Sequence, residues 1–313
     1  MRPLVTNPTS KPGPMAGRRP VPRRWTGVFS SIRFRQRAWL ALVMLVVVLG
    51  SVSMLFPVFW MVTTSLKAPG DVLLLPPKWI PIPPLWGNYP EALDFMRATI
   101  VFRNTLIVSL VGASGDVISA AIVAFGFARL RAPGKDFLFV LVLSTLMIPY
   151  QVRLIPEYLI FAGKVIPQIN WVNTFLPLIV PPWFGSAFNI FLLRQFYQSV
   201  PLELDDAAKI DGASYPQILF RIMIPLSLPA LGTISIMSFV GYWNDFFRPL
   251  IYLSDPDTWT VAIALRNFTG EYGSTPWQLL MAASMTALVP VLLVFFFAQR
   301  YFIQGVVFTG LKG

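Results

Sequence analysis

The strongest constraint on this chain is a series of apolar blocks, each long enough to cross a lipid bilayer. A membrane helix needs roughly 20 predominantly apolar residues. Six blocks reach that length, at about 38–62, 100–128, 137–161, 173–193, 223–251 and 276–299. Inside hydrocarbon every backbone N–H and C=O must be bonded within the protein, so such blocks predict helices. The expected fold is therefore an all-α polytopic membrane protein with six transmembrane helices. Pro57, Pro149, Pro156, Pro177, Pro181, Pro182, Pro229 and Pro290 fall within or beside the blocks. Kinks at such prolines are tolerated where neighbouring helices re-satisfy the freed carbonyls. The charged fraction agrees, at 12% against about 25% in soluble domains.

A net charge of +11 invites a nucleic-acid reading, but the basic residues cluster at the N-terminus and at the ends of apolar blocks. That distribution suits the cytoplasmic face of a membrane, where Lys and Arg accumulate. With the N-terminus inside, segments 1–37, 129–135, 194–222 and 300–313 hold 9, 3, 3 and 2 of the 25 Lys and Arg residues. Both termini are then expected in the cytoplasm, and no nucleic acid is expected as a partner. The chain has neither Cys nor His. Disulfides, Cys/His metal sites and catalytic triads built on those residues are excluded, and no metal or catalytic residue is assigned.

Residues 1–37 read as a Pro/Arg-rich cytoplasmic tail ahead of a transmembrane domain over 38–299, with a C-terminal cytoplasmic tail over 300–313. Six prolines up to Pro22 predict disorder to about residue 24. Trp25, Phe29 and Phe34 mark an interfacial lead-in whose Arg residues fix topology and bind anionic lipid. A cleaved signal peptide is not expected, because the following apolar block is too long and lacks an A-x-A site. Residues 63–99 form the expected external loop. The run Pro76-Pro77-Lys78-Trp79-Ile80-Pro81-Ile82-Pro83-Pro84-Leu85-Trp86 favours an extended backbone over a compact domain. Its aromatics, with Tyr89, suit an interfacial belt or a docking partner.

Between the fourth and fifth blocks lies a polar stretch, Glu203 to Ala213, running on to Pro225. Ala207, Ala208 and Ile210 suit one short helix, and Ile218, Leu219 and Ile222 a second. Gly212 stands between them, where a residue without Cβ takes the positive φ of a tight turn. Charge pattern alone leaves an ordinary amphipathic connector open. The spacing is more specific: D-A-A-x-x-D-G-A-(x8)-I-x-I-P, from Asp206 through Asp211, Gly212 and Ile222 to Pro225.

That spacing resembles the EAA loop of binding-protein-dependent ABC importers, E-A-A-(x3)-G-(x9)-I-x-L-P. Asp206 stands where the family has Glu, and Ile224 where it has Leu. The resemblance extends over roughly residues 50–313. It includes Phe56–Lys67, Asn104-Thr105, Pro133-Gly134-Lys135, Met147-Ile148-Pro149, Phe188–Phe196, Tyr242–Phe246, and the ending Gln299 to Gly313. These segments look most like the smaller six-span permease of the maltose-type, carbohydrate-uptake class. The long Pro/Arg-rich tail departs from that pattern, and its role is open.

The resemblance implies an ABC type I importer permease fold with cytoplasmic coupling helices in the 194–222 loop. It also implies a heterodimer with a second permease, two copies of a cytosolic ABC ATPase, and an extracytoplasmic solute-binding protein that delivers a sugar-like solute. The setting would be the cytoplasmic membrane of a bacterium or archaeon. In this reading Asp206 makes a polar contact to the ATPase, while Ala207, Ala208 and Ala213 permit close approach. Asp211 and Ile222 belong to the same loop, Gly212 holds the turn, and Pro225 marks the return into the membrane. Gly310 to Gly313 would reach the ATPase interface as well.

The chain has no P-loop of its own. Gly134-Lys135 is followed by Asp136 and Gly163-Lys164 by Val165, and neither has a Gly five residues earlier. ATP and Mg would therefore be bound by the partner ATPase, and no cofactor by this chain.

Charges inside the spans carry the remaining expectations. Asp245 and Arg248 lie three apart, as on one helix face toward the outer end of the fifth span. They suit an intrahelical pair, a polar lining of the solute path or an interfacial anchor. Trp243 and Asn244 beside them could stack on and hydrogen-bond a sugar. Asp116 falls within the second span, where it suits helix packing. It would be the obligatory titrating group if the chain were an ion-coupled secondary transporter, the main alternative, for which no inverted repeat of broken helices is evident. A membrane enzyme, the third class, is hard to assemble without His or Cys.

Overall fold

A computed structural model of the chain describes residues 25–270 and 275–307. The expected disorder to residue 24 and the C-terminal Gly310–Gly313 contact lie outside the described residues. Among those residues the chain is helical, without a β-strand beyond the isolated Ala162–Asn170 bridge. It divides after Val58 into two units.

In the first unit, helix α1 begins at Trp25 and runs on to Ser65, so the expected lead-in is already helical. From Phe34 to Val58 its side chains are exposed all round. A helix this long, with an almost wholly apolar exposed surface beyond Arg37, has the character of a membrane span.

The second unit takes in the end of α1, then α2 (Asn88–Phe95), α3 (Ala98–Arg129), α4 (Lys135–Ser144) and α5 (Tyr150–Phe161). Next come α6 (Leu176–Ile179), α7 (Ala187–Ser199), α8 (Glu203–Ile210), α9 (Tyr215–Ile218) and α10 (Ile224–Leu226). Helices α11 (Leu228–Trp243), α12 (Phe247–Tyr252), α13 (Val261–Arg266) and α14 (Trp277–Val307) complete it.

Helix α3 is the central element, packed against α7, α11 and the turn at Pro181–Phe184. Its buried positions recur at helical spacing and are mostly small: Ser109, Gly112, Ala113, Gly115, Ser119, Ala120 and Ala124. Small residues allow close helix approach, which in lipid replaces the hydrophobic drive for helix association. At Gly115 an added Cβ would lie 2.5 Å from the Trp183 ring.

Four helical segments are long and apolar enough to count as spans by length and composition: Phe34–Ser65, Ala98–Arg129, Leu176–Ser199 and Trp277–Gln299. Two bent pairs bring the number to six. The expected third span breaks between Met147 and Tyr150 with a 98° bend, because Pro149 lacks an N–H and restricts the residue before it. The expected fifth span, 223–251, is not one helix. Tyr215–Leu226 and Leu228–Trp243 meet at 79°, and α11 stops before α12 begins. Leu176–Ser199 is interrupted at Gly185, whose φ is +86°.

The 63–99 segment is folded rather than extended. Asn88 Nδ2 donates to the carbonyls of Ser65 and Lys67 at 2.8 and 2.9 Å, and Leu85 N–H to that of Leu66. Helix α2 buries Ala92 in an apolar cluster with Met96, Val101, Phe268 and Ala283. Those bonds and that burial offset the ordering cost that proline density alone leaves unmet.

Candidate functional site

The polar stretch folds as a helix–turn–helix whose two sides differ. Glu203, Asp205 and Asp206 occupy the first turn of α8 and Lys209 the last, which matches the helix dipole at both ends. The helix closes with a Schellman motif at Gly212, whose φ is +83°. Gly212 N–H bonds the Lys209 carbonyl at 3.0 Å, and Ala213 N–H that of Ala208 at 2.8 Å. Ser214 and Gln217 form a capping box that starts α9. A π-helical turn, Leu219–Met223, leads to Pro225 and the bend into α11.

The inner side carries Asp205, Ala208, Ile218, Leu219 and Met223, all buried. The four apolar ones lie in a cluster with Ala120, Ala124, Phe125 and Tyr197 of α3 and α7. Ala213 and Ile222 are half-buried against it. Facing out are Asp206, Ala207, Asp211, Gly212 and Pro225, with Ile210 at 87% exposure. Of the loop residues expected to permit close approach to a partner, Ala208 is therefore placed inward. Ala207 and Ile210 hold the outer face. Ile210 is an exposed apolar side chain on a helix whose neighbouring positions Asp206, Lys209 and Asp211 are charged.

Arg129 and Asp205, neither singled out in the sequence, anchor the inner side. Nε and Oδ2 lie 3.1 Å apart, with both side chains almost wholly buried. Asp205 sits three residues before Ala208 on one helix face, a phase that points it inward. Its partner, 76 positions upstream at the end of α3, has no local signal.

Farther along α3, Asp116 joins three elements. Its carboxylate accepts from Asn189 Nδ2 of α7 at 2.8 Å, Ser238 Oγ of α11 at 2.9 Å, and the backbone N–H of Ser186, the N-cap residue of α7, at 3.2 Å. Asn189 Nδ2 also reaches Ser238 Oγ. A carboxylate whose buried oxygens take three bonds is a packing junction.

The pair Asp245–Arg248 forms, but not on one helix face. α11 ends at Trp243, and Asp245 lies in the break before α12. One Asp245 oxygen accepts from the Arg248 backbone N–H and the other from its Nε. The carboxylate thus caps α12 while pairing with its first turn. The Arg248 guanidinium lies 5.0 Å from the Tyr242 ring centre. Trp243 leaves this group: it is buried and donates Nε1–H to the Ala287 carbonyl of α14 at 3.2 Å. Its ring packs against Phe239 and Phe102 inside the bundle. Asn244 is exposed, with its amide on the Val240 carbonyl. No group of three or more metal-ligating side chains occurs among the described residues.

A multi-span helical bundle with a polar helix pair docked on one side of it defines a polytopic membrane protein. The chain belongs to the family described as binding-protein-dependent transport system inner membrane component, which matches residues 117–307. It is similar to the arabinooligosaccharides transport system permease protein AraQ of Bacillus subtilis, 32% identical over 262 residues, covering 83% of this chain and 91% of that one. The sn-glycerol-3-phosphate transport system permease protein UgpE of Brucella abortus is 30% identical over 273 residues, covering 85% and 95%. Among solved structures, a bacterial ABC transporter involved in the import of the acidic polysaccharide alginate shares the fold. Its TM-score is 0.69 at 20% identity, over 91% of this chain and all of that one.

Proposed function

We propose that this chain is one permease subunit of an ATP-driven, binding-protein-dependent importer of sugars or sugar-like solutes. Family membership and relatives whose names specify arabinooligosaccharides and glycerol phosphate support the solute class. In this reading the chain lines half of a translocation path with a second permease. It is not itself an enzyme: two cytosolic ATPase copies bind ATP and Mg, and an extracytoplasmic protein delivers the solute. Both termini and the 203–225 loop lie in the cytoplasm.

The observation that carries the reading is the two-sidedness of that loop. Its inner face is fixed to α3 and α7, and its outer face presents Asp206, Ala207, Ile210 and Asp211. A groove on the ATPase that grips the outer face moves the inner face with it. Nucleotide then biases a bistable bundle through differential contacts. Asn244, Asp245 and Arg248, at the break after α11, are the proposed polar lining of the path.

The test is purification of the tagged chain from its own membrane, wild type against Asp206→Lys plus Gly212→Val. Wild type should bring down an ATPase subunit whose activity rises with binding protein and solute. The double variant should lose both while remaining membrane-integrated. Retention of both by the variant would return the loop to an amphipathic connector and reopen ion-coupled transport.

A further inference from the structure

We infer that Arg129 and Asp205 are positioning residues that make the outward-turned helix α8 move as one body with α3. This inference rests on the importer reading above and assigns the transmission step to a specific pair.

Arg129 is the last residue of α3, and Asp205 lies in the first turn of α8. Their side chains are 2% and 5% exposed. Arg129 also donates from its terminal nitrogen to the Val200 carbonyl at 2.7 Å. Arg129 thus ties three things at one point: the end of α3, the end of α7 and the start of α8. Nε and Oδ2 lie 3.1 Å apart, and among the described residues neither Arg129 Nε nor Asp205 Oδ1 has a hydrogen-bond partner. Charge, more than hydrogen-bond geometry, holds the contact.

An apolar pair of similar volume would serve stability as well or better, because two buried ions lose their hydration. The apolar cluster of Ala208, Ile218, Leu219 and Met223 already docks the loop. What a buried ion pair adds is a fixed register between α8 and α3. Without it, α8 can roll on that greasy surface about the short 200–202 connection.

The far end of α3 is held just as firmly. Asn104 Nδ2 donates to the carbonyls of Asp257 and Trp259 at 2.8 and 3.0 Å, and Thr105 Oγ1 accepts from Val261 N–H at 2.8 Å. From Asn104 to Arg129 the helix spans roughly 37 Å at about 1.5 Å per residue. Asp116 ties its middle to α7 and α11. A displacement of α8 therefore reaches the opposite end of the bundle through one continuous helix.

The experiment measures solute imported per ATP hydrolysed in vesicles carrying the whole complex. Asp205→Asn and Arg129→Gln should lower that ratio about fivefold or more, with the ATPase subunit still bound and still stimulated by binding protein. Asp205→Glu should restore most of it. The apolar double variant Arg129→Met plus Asp205→Leu keeps volume and should assemble normally, yet remain uncoupled. It decides the matter if the single variants do not assemble. Wild-type coupling in that double variant, or in assembled Asp205→Asn, overturns the inference. Absence of ATP-driven import by the wild-type complex would instead defeat the importer reading itself.

Discussion

Asp116 of α3 and Asn189 of α7 meet through a 2.8 Å hydrogen bond inside the bundle, and the same Asn189 amide reaches Ser238 of α11. The contact converts a charged residue in a membrane helix, which would otherwise be costly, into a three-helix junction.

Replacing Asp116 tests what that carboxylate does. Asp116→Leu strands the donors of Asn189, Ser238 and Ser186, at about 1–3 kcal/mol for each buried group left unpaired. A clear fall in thermal stability in detergent is expected. Asp116→Asn keeps the shape and one acceptor oxygen, enough for Asn189 and Ser238 but not for the Ser186 N–H as well. It should therefore lose less stability than Asp116→Leu and preserve ATP-driven uptake. Loss of uptake in a well-folded Asp116→Asn complex would point to a titrating carboxylate and ion coupling.

Gly212 is constrained by its backbone alone. No atom lies within 4 Å of an added Cβ, yet φ is +83°. Left-handed geometry costs an L-residue about 1–2 kcal/mol, and Asn tolerates it better than most. Gly212→Asn should therefore retain the ATPase subunit on co-purification and Gly212→Val should lose it. Equal retention would show that the turn conformation is not required.

Gly115 is constrained by contact. A Cβ there would overlap the Trp183 ring at 2.5 Å, and overpacking costs about 1–3 kcal/mol. Gly115→Ala should lower the melting temperature, and adding Trp183→Leu should recover part of the loss. An unchanged melting temperature in Gly115→Ala would mean that α3 and the 181–184 turn are free to separate.

Trp243 and Asn244 should part company in transport assays. Trp243→Phe removes the bond to the Ala287 carbonyl, worth about 1 kcal/mol, and should reduce stability while leaving the apparent KM for solute unchanged. Asn244→Ala should do the reverse. A KM shift with Trp243→Phe alone would restore the indole to the solute path.

Lys67 supplies a pH signature outside the spans. Its ammonium is buried, lies 4.1 Å from the Trp60 ring centre and has no hydrogen-bond partner among the described residues. Burial pushes its pKa below the ordinary 10.5, and the Asp71 carboxylate partly opposes this. The folded state then binds fewer protons than the unfolded state between the lowered value and 10.5. The destabilisation is complete below that window and is relieved as pH rises through it. Thermal stability of wild type relative to Lys67→Met should rise on the alkaline side. Parallel profiles for the two proteins would dismiss it.

Much of this protein was legible in one dimension. Block length against bilayer thickness predicts spans at positions such as 100–128 and 276–299, and the Asp206-to-Pro225 spacing marks a turn whose geometry Gly212 adopts. These features are local: they depend on periodicity, on a missing Cβ, on a proline's missing N–H. Tertiary structure decided the rest. Whether Pro149 and Pro229 kink a span or bend it sharply depends on what surrounds the break. That Ala208 faces in while Ala207 faces out depends on where α3 and α7 lie. Trp243 packs helices because Ala287, 44 residues on, offers a carbonyl. Arg129 and Asp205 become partners because the chain returns to one end of the bundle. Each is set by a neighbour distant in sequence, which local pattern cannot specify.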